Sequence, residues 1–243
     1  MSSDNPNTRL DGVVVPGVVR DLAAGRRVSP VWRNEIGGVT FSVGDGAEYV
    51  KYGPPHAEFD PVAESERLGW VGAFVTAPCP LGHGRDAAGN LWFRTAGIPA
   101  TSAVLGGWRS HPERVVPELG RALRRFHEVV PVDSCRWEWS VAGRLAYRGL
   151  PADHLGAWPD LDPVVCHGDA CNPNFLLDAD GRCVGYVDLG RLGVGDRWAD
   201  LAPALLSLGW NFGPGWEPAF LAAYGIDPDP AKQDFYTRLW NAE

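Results

Sequence analysis

The stretch Val165-Cys166-His167-Gly168-Asp169-Ala170-Cys171-Asn172-Pro173-Asn174, followed by Val187-Asp188-Leu189-Gly190, carries most of what this chain says about itself. It gathers two carboxylates and one amide, Asp169, Asn174 and Asp188, into a short segment. That order suits phosphoryl transfer, which asks a protein mainly for positioning and for neutralisation of the charge spread over the transferred group. Magnesium takes hard oxygen ligands, usually one or two carboxylates with phosphates and water. Asp188 as a carboxylate and Asn174 as a neutral carbonyl meet that demand, which leaves Asp169 to accept the proton of an attacking hydroxyl. His167 reads as a hydrogen-bonding brace of the loop rather than as the base. The plainer alternative is a polar turn with a capping Asn and an ordinary strand Asp; the clustering of all three residues argues against it.

Composition sets the outer limits. The chain has 243 residues, 45% of them hydrophobic, enough for one large domain or two lobes with a real core. A formal charge of -8 disfavours a nucleic-acid partner, because the basic residues form only short clusters such as Arg121, Arg124 and Arg125. The five cysteines, Cys79, Cys135, Cys166, Cys171 and Cys183, form no Cys-x-x-Cys pair and read as reduced thiols. No signal-peptide core stands at the start, and no apolar run approaches the ~20 residues of a membrane helix, so a cytoplasmic protein without a membrane partner is expected.

Residues 1 to about 12 are polar and are expected to lie outside the fold. Val13 to Ala24 has helical spacing. Strand grammar runs from Val31 to Tyr52: Thr40, Phe41 and Val43 lead into Gly44-Asp45-Gly46, and Tyr49-Val50-Lys51-Tyr52 follows, a hairpin pattern. Gly37-Gly38 before it marks a place where backbone can approach a ligand closely. Helical spacing returns from Glu64 to Val71, glycines and prolines interrupt between Pro78 and Asn90, and Leu91 to Thr95 reads as a strand ended by Gly97-Ile98-Pro99. The lobe boundary is placed there, giving a nucleotide-binding lobe over 1–97 and a catalytic and substrate lobe over 98–243. Ser110-His111-Pro112-Glu113 matches a capping box ahead of a long amphipathic helix, with Pro117 as the alternative first turn. Modest helical content around Trp139 to Leu145, a helix through Leu201, Leu205 and Leu208, a loop rich in Trp and Gly, and a helix from Pro230 to Trp240 complete the pass.

Phosphoryl transfer also needs a cation on the nucleotide phosphates. Lys51, on the strand after the hairpin, can supply it, with Glu64 on the following helix as the carboxylate that fixes it and Glu66 as the competing choice.

With these residues in hand, the chain resembles the aminoglycoside phosphotransferase family, whose fold is similar to that of protein kinases. Its 3′/3″ branch carries the pattern Val-Val-x-His-Gly-Asp-x-Cys-x-Pro-Asn, met here from Val164 to Asn174, and the agreement continues through Asp188-Leu189-Gly190-Arg191 and Asp196-Arg197-Trp198-Ala199-Asp200. The resemblance implies an α+β, bilobal protein-kinase-like fold with a small β-rich N-terminal lobe and a helical C-terminal lobe. It implies Asp169 as catalytic base, Asn174 and Asp188 on Mg2+, and Lys51 with Glu64 on the phosphates of ATP or GTP. It further implies that adenine lies against the strand ending at Thr95, with the Thr95 carbonyl and the Gly97 amide as hinge, that the loop from Gly37 and Gly38 to Thr40 covers the phosphates, and that Arg191 borders the acceptor.

The chain departs from that family where the acceptor is held. Only Arg136 to Cys166 separates the region ending at Cys135 from the His-Gly-Asp loop, so the lid is short; its acids are Glu138, Asp153, Asp160 and Asp162. Where aminoglycoside kinases tend to place acids stand Trp210-Asn211 and Trp240-Asn241. Carboxylates suit ammonium groups, whereas indole faces suit sugar and apolar faces, so Trp210 and Trp240 are candidate acceptor residues, with core packing as the alternative. The expectation is an ATP- and magnesium-dependent kinase of a small-molecule hydroxyl, aminoglycoside 3′-phosphotransferase-like, working as monomer or homodimer. The alternatives are a kinase of another sugar, nucleoside or metabolite, and a nucleotide-binding module that has lost transfer.

Overall fold

The computed structural model describes residues 10, 12–34 and 36–242, so the expectation for the first dozen residues falls almost wholly outside the described part. The chain divides into two compact units: the described residues up to Gly72 together with Ala77–Pro99, and Ala73–Thr76 together with the residues from Ala100 onward. The first is sheet-rich and the second helical, which is the bilobal α+β architecture of the kinase-like class.

In the first unit, α1 (Gly17–Ala23) precedes β1 (Val28–Arg33), β2 (Val39–Val43) and β3 (Glu48–Gly53); α2 (Pro61–Val71), β4 (Pro80–Arg85) and β5 (Leu91–Ala96) follow. The strands form one antiparallel sheet in the order β1-β2-β3-β5-β4. Phe41, Val43 and Val50 alternate inward from β2 and β3 and pack on Val19 and Ala23 of α1. Pro16 caps α1, so the helix begins four residues later than the Val13 suggested by apolar spacing. The Asp60 carboxylate accepts from the amides of Val62 and Ala63 and starts α2 at Pro61, a turn ahead of the expected Glu64.

Strand β4 lies where glycine and proline suggested only interruption. Its glycines make room for the Trp92 indole on β5: a Cβ at Gly84 would sit 2.8 Å from Trp92 Cζ2. At the end of the sheet the Glu48 carboxylate accepts from Arg94 Nε at 2.7 Å, Arg94 Nη2 at 2.8 Å and Arg26 Nη2 at 2.9 Å. The Arg94 hydrogen bond, then the Arg26 one, hold the Glu48 carboxyl down at about 2. A depressed carboxylate pKa contributes stability above the unfolded value of 4.5 that disappears as pH falls through about 2. The melting-temperature difference between the wild type and Glu48→Gln should therefore be full above pH 4.5 and shrink toward zero near pH 2; a pH-independent difference would remove this assignment.

In the second unit, β6 (Thr101–Ser102) leads to α3 (Pro112–Val129) and α4 (Val141–Tyr147); β7 (Pro163–Cys166), β8 (Phe175–Leu177), β9 (Cys183–Tyr186) and β10 (Gly193–Asp196) precede α5 (Trp198–Phe212), α6 (Glu217–Tyr224) and α7 (Pro230–Asn241). β7 pairs with β10, and β8 lies between β6 and β9. The capping box is corrected: Ser110 belongs to a 3-10 turn, His111 occupies the N-cap without a side-chain bond, and Pro112 with its preset φ opens the helix. Pro117 lies inside the helix and is not its first turn. α3 buries Val115, Leu119, Ala122, Leu123 and Phe126. Its Gly120 admits α6, since a Cβ there would lie 2.4 Å from the Phe220 carbonyl oxygen. That helix occupies part of the segment expected to be loop; its apolar residues Phe220, Leu221 and Tyr224 are buried. Lys232 of α7 binds the buried Asp196 carboxylate at 2.9 Å and ties the last helix to β10. Among the described residues no helix is long and apolar enough to cross a membrane.

Candidate active site

The loop from His167 to Asn174 joins β7 to β8. Gly168 takes φ +86, and a Cβ there would meet the Arg191 carbonyl oxygen at 2.3 Å, so only glycine brings the loop this close to the segment after Asp188. Asn174 donates from Nδ2 to the Asp169 carbonyl at 2.9 Å and accepts on its own carbonyl from the Val187 amide at 3.0 Å. These bonds bring Asp169, Asn174 and the turn carrying Asp188 into one group. Asp188 is exposed and has φ +63, a left-handed conformation costly for a residue other than glycine. Such strain is found where a side chain is held in place for a task.

Asp169 Oδ1 is buried and has no hydrogen-bond partner among the described residues. Burial first, then the nearby Asp188 charge, push the Asp169 carboxyl up, against the Cys171 thiol and Arg191, which favour the anion. His167 is fully buried, and burial lowers its imidazole. Its Nδ1 accepts from the Asp169 amide at 3.3 Å, and it packs among Phe126, Phe175 and Tyr186. A neutral ring bonded to the backbone of Asp169 is a brace, not a base.

Behind the loop stands Asp200, in the first turn of α5, with none of its surface exposed. Its carboxylate accepts from the His167 amide at 2.5 Å, the Gly168 amide at 2.9 Å and His127 Nε2 at 3.0 Å. Burial pushes Asp200 up, but the His127 hydrogen bond and the Gly168 amide outweigh it and hold the group below the usual carboxylate range. Tyr224 then bonds His127 Nδ1 at 2.8 Å. Sequence reading misses both Asp200 and His127 as loop supports. The sole available signal was the recurrence of Asp200 in the matched motif.

In the sheet unit Lys51 Nζ lies 2.7 Å from Glu64 Oε1, with Glu64 buried and Glu66 exposed, so Glu64 is the partner. Thr40 faces Lys51 across the β2–β3 ladder. The Gly37 and Gly38 turn is closed by Asn34, whose Oδ1 accepts from the Gly38 amide at 2.6 Å. Thr95 pairs with Tyr49 and Pro80 inside the sheet. The Gly97 amide donates to the Ala47 carbonyl at 2.8 Å.

Around the acceptor candidates, Arg191 is half-buried with its guanidinium 5.8 Å from the Trp139 ring centre, and the buried Arg144 lies 4.6 Å from the same ring. Trp139 was not singled out from sequence. Of the lid acids, the Asp162 carboxylate pairs with Arg197 and the Glu138 carboxylate accepts from Ser140, while Asp153 and Asp160 are exposed. Trp210 is exposed on α5 and Trp240 is half-buried on α7; among the described residues neither makes a hydrogen bond or ring contact with the Asp169 group.

The donor set fits magnesium. One carboxylate and one amide oxygen suit an ion that completes its shell with nucleotide phosphates and water, and the Asn174 amide is oriented by its Nδ2 bond, so that Oδ1 is the atom it could offer a metal. Among the described residues no cluster of three or more His, Cys, Asp or Glu side chains could hold a metal by itself.

A kinase-like fold with this loop defines a phosphotransferase. The model of the phosphotransferase enzyme family matches residues 50–236. A streptomycin 3″-kinase of Streptomyces griseus is 32% identical over 98% of this chain and 97% of its own length. The crystal structure of an aminoglycoside-3′-phosphotransferase of type VIII superposes with a TM-score of 0.77 at 25% identity, over 93% of this chain and 97% of that one. The aminoglycoside phosphotransferase APH(3″)-Id of Streptomyces rimosus, in complex with ADP and streptomycin, superposes with a TM-score of 0.67 at 26% identity, over 86% and 93%. The chain belongs to the aminoglycoside phosphotransferase family, whose chemistry is ATP-dependent phosphoryl transfer to a small-molecule hydroxyl.

Proposed function

We propose that this protein transfers the γ-phosphoryl group of ATP, bound with Mg2+, to a hydroxyl of a small molecule, with Asp169 as the base. The buried, unpartnered Oδ1 of Asp169 beside Asn174 and Asp188 carries this reading. The acceptor oxygen bonds to the γ-phosphorus as the β–γ bridging bond breaks, ADP leaves, and the hydroxyl proton passes to Asp169. Lys51, steadied by Glu64, neutralises phosphate charge. Asn174 and Asp188 would hold the metal, which would supply charge neutralisation at the phosphates.

The acceptor carries fewer amino groups than kanamycin. One observation favours this: Arg191 stands beside the base, with its guanidinium 5.8 Å from the Trp139 ring centre. A cation repels ammonium groups, whereas an indole accepts a sugar face. The test is incubation with Mg-ATP and kanamycin, streptomycin, an uncharged hexose or a nucleoside, with products read by mass spectrometry and rates as kcat/KM. A weakly charged acceptor should be preferred. Kanamycin or streptomycin outrunning the others would overturn the acceptor class, and transfer to none of them with intact nucleotide binding would point to a binding module.

A further inference from the structure

We propose that Ser207 and Asn211 form a positioning pair that fixes the Asn172–Asn174 turn, and that Asn211 serves this role instead of binding the acceptor. The proposal rests on the reading of Asn174 as a metal ligand. Asp200, Ala204, Ser207 and Asn211 recur at spacings of four, three and four, which places them on one face of α5. That face runs beneath the catalytic loop. Ser207 is buried and its Oγ accepts from the Asn172 amide at 2.9 Å, while the Ala204 carbonyl accepts from Asn172 Nδ2 at 3.3 Å. Asn172 is itself fully buried and opens the 3-10 turn that ends at Asn174.

Asn211 completes the arrangement. Its Nδ2 donates to the Ser207 carbonyl at 2.8 Å and to Ser207 Oγ at 3.1 Å. A hydroxyl has two lone pairs and one proton. Ser207 Oγ accepts from both Asn172 and Asn211. The Asn211 Nδ2 is thus turned onto Ser207, one residue beyond the exposed Trp210. One helix face holds the turn that carries the metal-side amide.

Outer supports of this kind typically change metal affinity or activity about 10- to 100-fold when removed. The experiment measures Mn2+ binding in the presence of ADP by electron paramagnetic resonance for wild type, Ser207→Ala, Asn211→Ala and the conservative Ser207→Thr. It adds kcat and KM for the panel acceptor that the wild type phosphorylates fastest. Metal binding should weaken about 10-fold in both alanine variants, kcat should fall, acceptor KM should hold, and Ser207→Thr should restore binding. The half-buried Asn211 gives the same readout should Ser207→Ala fold poorly. A raised acceptor KM in Asn211→Ala with wild-type metal binding overturns the proposal. Asn174→Ala, measured alongside, separates the two levels: unchanged metal binding there sinks the Asn174 assignment and the pair with it. Weakened binding there, with wild-type binding in Ser207→Ala and Asn211→Ala, overturns the pair alone.

Discussion

Asp169→Ala should lower kcat by roughly 100- to 10,000-fold, the usual contribution of a positioned general base, while leaving nucleotide affinity close to that of the wild type. The separation follows from where the side chain's contacts lie. Asn174 is held by the Asp169 carbonyl, a backbone group that the substitution keeps, so the metal-side amide stays in place. What is lost is the buried Oδ1 and the carboxylate that burial and Asp188 bias toward holding a proton. Asp169→Asn tests the same point more gently, because it preserves shape and removes only the ability to take a proton. Isothermal titration with Mg-ADP and steady-state kinetics on the same preparations distinguish the outcomes. Unchanged turnover in either variant would remove Asp169 as base, and a collapse of nucleotide affinity would mean that the carboxylate serves the metal instead.

The parts of this site that sequence exposes are those written locally. Asp169, Asn174 and Asp188 are few residues apart, and Lys51 and Glu64 follow one another on consecutive elements, so spacing alone brings them to notice. The supports are different in kind. His127 and Asp200 are separated by 73 residues, and Asn172 and Ser207 by 35, and nothing in either residue announces a partner at such range. Asn211 was read as the loss of an acceptor-facing acid; its amide is instead turned onto Ser207. The fold shows the same division. β2, β3 and β5 follow alternation and β-branched content, whereas β4 is a strand because Trp92 covers its glycines, a fact of the neighbouring strand rather than of β4. α6 likewise owes its place to the close approach that Gly120 permits.

Asp200→Ala should produce the largest stability loss of any single change considered, about 3–5 kcal/mol, the usual cost of breaking one side of a buried charged network. The carboxylate has no exposed surface and serves three donors, the amides of His167 and Gly168 and the ring of His127. Alanine leaves all three buried without a partner, and each such group costs about 1–3 kcal/mol. The same amides set the entry of the catalytic loop, so kcat should fall even in the fraction that folds. Asp200→Asn isolates the charge: the amide oxygen can still accept, but its NH2 group turns one side of the site from acceptor to donor and faces a donor there. That variant should fold with intermediate stability and keep reduced turnover. Because the native Asp200 pKa is depressed, its contribution is present above the unfolded value of 3.8 and is lost as pH falls through the lower folded value. The stability gap between wild type and Asp200→Asn in urea denaturation should thus be constant from neutral pH down to about 4 and narrow below it. A gap that stayed constant into strong acid would show that Asp200 supports the loop by shape and not by charge.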